Sequence, residues 1–213
     1  MPRVRVHQHV NPLATFFRNL PAEPLEVEKL FAAPHLPLLL DIGSARGRFL
    51  LEMARLEPKR NYLGLEIREP LVEEANRLAE KERLDNLHYE FCNATLAIGK
   101  LLEKLPDGIL ETVTIQFPDP WFKKKHAKRR MVKDKLVEVV VSHLRGSGRI
   151  FVQTDVEFLA EEMFELFRSN DSLREIETSE NPFPVKTERE GAVEEKNLAV
   201  YRTMFEKAVS SEQ

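Results

Sequence analysis

A chain of 213 residues is long enough for one sizeable core and short for two independent domains. Hydrophobic residues at 42% and charged residues at 31% exclude an intrinsically disordered chain, and a single cysteine, Cys92, excludes an intramolecular disulfide and a cysteine-built zinc site. The formal net charge is only −3, 32 Lys and Arg against 35 Asp and Glu, so the partner must be read from where charge clusters rather than from its sum.

The opening residues 1–24 contain Pro and His without sustained periodicity and read as an extended arm ahead of a domain spanning 25–213. They lack the apolar core of a signal peptide, and no run in the chain approaches the ~20 apolar residues of a membrane span, so a cytoplasmic protein is expected. "LEVEKLF" is a short helix candidate ending before Pro34. "LPLLLDIG" is a compact apolar run of the kind found in strands buried on both faces. "RFLLEMARLEP" has helical spacing, "NYLGLEI" is a second strand, and "EPLVEEANRLAEKERL" is an amphipathic helix with Pro70 near its start, where a missing N–H does no harm. "NLHYEF", "ETVTIQF" and "GRIFVQT" continue the strands; "LAIGKLLEKL", "KDKLVEVVVSHLR" and "VEFLAEEMFELFRS" continue the helices. Two last strands, "REIETS" and "LAVYRTMFEK", flank the polar loop "ENPFPVKTEREGAVEEKN". Five strand–helix alternations predict a single α/β domain, Rossmann-like, with a mostly parallel seven-stranded sheet, helices on both faces and an antiparallel hairpin at one edge. In such a sheet ligands bind outside the carboxyl ends of the strands.

Residues at those ends suggest a nucleotide site. "DIGSARGRF" places Gly43 and Ser44 in a tight strand-to-helix turn, where backbone N–H groups can approach a ligand. Glu66 ends the second strand 25 residues after Asp41, near the ~20-residue offset at which a carboxylate meets ribose hydroxyls. Asn93, just past the third strand, has an amide suited to an adenine edge. A nicotinamide dinucleotide and S-adenosylmethionine both fit these residues. The six histidines are scattered and no separate substrate domain is present, which favours S-adenosylmethionine.

The fourth strand ends in "FPDPWFKKKHAKRR". Pro118 and Pro120 hold Asp119 stiffly between them, and Trp121 is either a base-stacking surface or a core anchor. Lys123, Lys124, Lys125, Lys128, Arg129 and Arg130 then fall within eight residues with no acid among them. Charges this dense repel one another unless a polyanion neutralises them, which points to nucleic acid.

This signature closely resembles that of the bacterial tRNA (guanine-N7-)-methyltransferases, and the similarity extends through "QTDVEFLAEEMF" and "TEREG" to cover about residues 36–207. The resemblance implies methyl transfer from S-adenosylmethionine to N7 of guanosine 46 in the tRNA variable loop. By it, Asp41, Gly43, Ser44, Glu66, Asn93 and Asp119 contact the cofactor, and Asp119 also stands at the catalytic position. Lys123, Asp155, Thr187 and Glu190 correspond to substrate contacts, and Lys125, His126, Lys128, Arg129 and Arg130 to the RNA-binding run. Many members have Glu at position 41 and Asp at position 93, and a richer glycine turn than Ser44-Ala45-Arg46. No metal is expected, the partner is tRNA, and both monomer and homodimer stay open. Another RNA base methyltransferase and a non-catalytic RNA-binding protein are the alternatives; a dinucleotide-dependent reductase ranks below them.

Overall fold

The computed structural model describes residues 9–209; the first eight residues of the arm and the last four of the chain lie outside that range. The elements in chain order are α1 (Thr15–Arg18), α2 (Val27–Leu30), β1 (Leu38–Ile42), α3 (Arg48–Leu56), β2 (Asn61–Glu66), α4 (Glu69–Glu82), β3 (Leu87–Phe91) and α5 (Ala94–Leu102). They continue with β4 (Leu110–Gln116), a 3-10 helix (Lys124–Arg129), α6 (Asp134–His143), β5 (Arg149–Thr154), α7 (Glu157–Arg168), β6 (Leu173–Glu177), α8 (Glu188–Glu194) and β7 (Tyr201–Lys207).

The seven strands form one sheet in the order β3-β2-β1-β4-β5-β7-β6. β1 to β5 are parallel, and β7 runs antiparallel to both β5 and β6. Every residue of β1 and β2 is buried, because helices cover both faces. The pleat sends Leu38 and Leu40 to one side, among residues of α5, α6 and α7, and Leu39 to the other, among residues of α3 and α4.

β6 and β7 pair antiparallel, as the predicted hairpin does, but the chain between them is more than a loop. It contains α8, and β7 inserts between β5 and β6 instead of lying outermost. Phe183 anchors the loop ahead of α8, its ring 5.5 Å from that of Phe49 and 5.6 Å from that of Phe151. The arm holds one helical turn, α1, and joins the domain where Leu25 N–H donates to Leu101 O at 2.9 Å.

The winding reverses between β1 and β4. A ligand site is expected outside the carboxyl ends of the strands at such a switch point.

Candidate active site

A cavity of about 530 Å³ opens there, within the ~300–1,000 Å³ typical of small-molecule sites. Residues following β1, β2, β3, β4 and β5 line it, joined by His9, Val10 and Pro12 of the arm.

Its first wall is the turn after β1. The N–H groups of Gly43 and Ser44 both donate to Leu65 O, at 2.8 and 3.0 Å, tying the turn to β2. Tyr89 of β3 lies beneath, its hydroxyl donating to Gly47 O at 2.5 Å. Gly47 has φ +72°, and a Cβ there would stand 2.6 Å from the Tyr89 ring, so glycine is required by conformation and by room. Ala45, at φ 50°, takes a left-handed conformation that a more glycine-rich turn would adopt without strain.

Two carboxylates close this wall. Asp41 is buried and accepts from Thr114 Oγ1 at 2.6 Å. Burial lifts its carboxyl to about 6; the Glu66 charge adds to the rise, while hydrogen bonds from Thr114 and Gln116 oppose it. Glu66 is buried too, and its oxygens accept from Ala45 N–H at 2.8 Å, Ile67 N–H at 2.9 Å and Arg68 N–H at 3.0 Å. The Arg68 guanidinium adds bonds of 2.8 and 3.0 Å. Arg68 lines the cavity and was missed in the sequence; a basic residue two places beyond a strand-end acid is the signal that could have found it.

Asn93 donates from Nδ2 to Pro12 O at 2.8 Å and to Phe17 O at 3.1 Å. Both amide protons therefore hold the arm, which leaves the side-chain oxygen as the group able to face a ligand.

The second wall is the corner. Phe117 at φ 51° and Trp121 at φ 44° bracket Pro118-Asp119-Pro120 with two left-handed residues, a strained arrangement. Asp119 is about one third exposed, with Oδ1 2.7 Å from Nδ1 of His9. That pair joins residues 110 apart in the chain, and nothing local in the sequence signals it. Trp121 is half-buried on the cavity lining and outside the core; the Arg129 guanidinium lies 4.8 Å over its ring and His126 packs edge-on at 5.8 Å.

Arg130 stands apart from the RNA-facing run expected of it. Its side chain is buried, donates to Pro120 O at 3.0 Å, pairs with Glu162 of α7 and stacks 4.9 Å over Phe158. The acid missing from the local sequence comes from 32 residues further on. Lys123, Lys124, Lys125 and Lys128 are exposed, and among the described residues none of them has a carboxylate partner. His126 has its pKa held below the ordinary histidine value, by desolvation first and then by Arg129, Lys125, Lys123 and Lys128.

The third wall holds Asp155, which pairs with Arg189, and Thr187, which caps α8 by accepting from Glu190 N–H at 3.1 Å. Glu190 is not on the lining. It is fully buried and accepts from Gln153 at 3.1 Å, Asn181 at 2.8 Å and Arg202 at 3.1 Å. Those donors make it a strut tying α8 to β5 and β7. Among the described residues no group of three His, Cys, Asp or Glu is placed to hold a metal ion, and no helix is long and apolar enough to cross a membrane.

This sheet order, with a cavity walled by an acid at the end of β2 and a rigid corner after β4, defines a Rossmann-like methyltransferase fold. A solved rRNA methylase from Streptococcus thermophilus superposes with TM-score 0.52 at 11% identity, over 85% of this chain and 91% of that one. A family model described as "Putative methyltransferase" matches residues 35–203. A tRNA (guanine-N(7)-)-methyltransferase of Trichormus variabilis is 53% identical over 97% of this chain and 98% of its own. Another, of Nostoc sp., is 52% identical over 98% and 96%. The chain belongs to the tRNA (guanine-N(7)-)-methyltransferase family.

Proposed function

We propose that the protein methylates N7 of guanosine 46 in the variable loop of tRNA, with S-adenosylmethionine as donor. One observation carries the reading: the turn and carboxylates suited to a nucleoside, the Asp119 corner and the Asp155–Thr187 wall all line a single cavity, and Arg129 of the basic 3-10 helix lines it with them.

The first wall fits the donor. Glu66 offers carboxylate oxygens to ribose hydroxyls, the oxygen is the part of the Asn93 amide left to accept a bond, and Asp41, Gly43 and Ser44 line the same cavity. A carboxylate has about four lone-pair sites, and five N–H donors already crowd Glu66, so a ribose is accepted there as Arg68 yields its bonds. When bound, S-adenosylmethionine supplies an electrophilic methyl group.

Guanine N7 is a lone pair on the major-groove edge and carries no proton, so methylation there needs no general base. The protein's own part is positioning and charge. Asp119 and Asp155 both line the cavity in which a cationic base would form, and fixed carboxylates stabilise such developing charge. Thr187 is held by its capping bond on the same lining. Lys123, Lys124, Lys125, Lys128 and Arg129 supply phosphate contacts, with His126 among them.

The test is to incubate the protein with labelled S-adenosylmethionine and an unmodified tRNA transcript, then map the modified nucleotide. Label at N7 of guanosine 46, absent from a transcript with adenosine there, is the expected result. Label elsewhere, or none, overturns the proposal.

A further inference from the structure

Phe122 is the most exposed large hydrophobic side chain on the cavity rim, at 69% relative exposure. A single exposed phenylalanine is ordinary, but this one is held in place. Its ring meets Phe158 of α7 edge-to-face, with centroids 5.8 Å apart and planes at 64°. Phe158 in turn lies under the Arg130 guanidinium, which is itself tied to the corner and to Glu162. A braced and exposed ring therefore stands on the cavity lining, in the segment that runs from Asp119 to the exposed Lys123, Lys124 and Lys125.

We infer that Phe122 is a stacking platform for the nucleobase flanking the methylated guanosine. The inference rests on the tRNA reading above and adds the residue that receives the RNA chain as it enters the cavity. A base that enters the cavity leaves its neighbour without a stacking partner, at a cost of a few kcal/mol. An aromatic ring on the rim replaces that partner, and stacking tolerates any base because every base has a π face. The adjacent lysines match the phosphates of the same strand, so apolar face and charge suit one occupant, an unpaired stretch of RNA.

The experiment uses unmodified tRNA transcripts carrying 2-aminopurine immediately 5′ or 3′ of the target guanosine. With the wild-type protein, fluorescence of at least one probe is quenched on binding. Phe122→Ala should abolish that quench and weaken tRNA binding roughly 5- to 150-fold, leaving S-adenosylmethionine affinity and the salt slope of tRNA binding unchanged. Phe122→Trp should restore both quench and affinity. The platform is overturned if neither probe is quenched by the wild type, or if Phe122→Ala binds and quenches as the wild type does. It is also overturned if tryptophan fails to rescue, since the ring then acts only by packing on Phe158. A wild-type protein that quenches the probe yet leaves guanine N7 unmodified would sink the methylation reading while upholding the platform.

Discussion

Burial holds the Asp41 carboxyl up at about 6 because its ionised form has lost water, and Thr114 and Gln116 return only part of that solvation. A carboxyl that binds its proton more tightly folded than unfolded contributes stability that is complete below its ordinary value of 3.8 and is lost as the pH rises through about 6. Above that pH the ionised group costs the fold about 3 kcal/mol relative to the neutral one. Asp41→Asn keeps an acceptor for Thr114 and carries no charge. It should unfold at higher urea than the wild type at pH 8, by up to about 3 kcal/mol, with the advantage gone below pH ~4. An advantage independent of pH would show that the Asp41 charge is not the cause. Asp119 lines the same cavity, with His9 against it. Asp119→Ala should lower kcat for methyl transfer by roughly 100-fold or more, as losing one transition-state contact does, while tRNA binding stays nearly intact. Loss of binding with kcat retained would make Asp119 an RNA anchor.

Along the 3-10 helix, residues adjacent in sequence divide by direction. Lys124, Lys125 and Lys128 face solvent, whereas Arg130 turns under the corner and Lys133 braces the helix by donating to Ala127 O at 3.1 Å. Phosphate contacts set the salt dependence of RNA binding, each adding roughly 0.7–0.9 to the slope of log K against log salt. Replacing Lys124, Lys125 and Lys128 with Glu should flatten that slope by about 2 to 3 and leave thermal stability nearly unchanged. Arg130→Ala should do the reverse, losing roughly 2 kcal/mol of stability through its charged hydrogen bonds and leaving the slope alone. Equal slopes for wild type and triple variant would return the run to a merely solvated face.

Across the whole molecule, a chain of net charge −3 gathers positive charge in the segment after β4, and His9, Val10 and Pro12 of the arm line the same cavity as the corner that precedes it. Asn93 ties that arm down, so Asn93→Ala should speed amide exchange in residues 13–19 and cost about 1–2 kcal/mol of stability. Unchanged protection there would mean the arm is held by other contacts. The parallel sheet was legible in the sequence, because strands buried on both faces read as apolar runs and helices keep their period. So were the strand-end residues that line the cavity, Asp41, Glu66, Asn93 and Asp119, since a strand's end places its last side chains at the sheet's rim. The insertion of β7 between β5 and β6 was not legible, because pairing partners across a sheet leave no local trace. Nor were the His9–Asp119 pair, the Glu162 partner of Arg130 or the burial of Glu190: each side chain's role depends on which distant group folding brings within about 3 Å, and linear spacing carries no record of that distance.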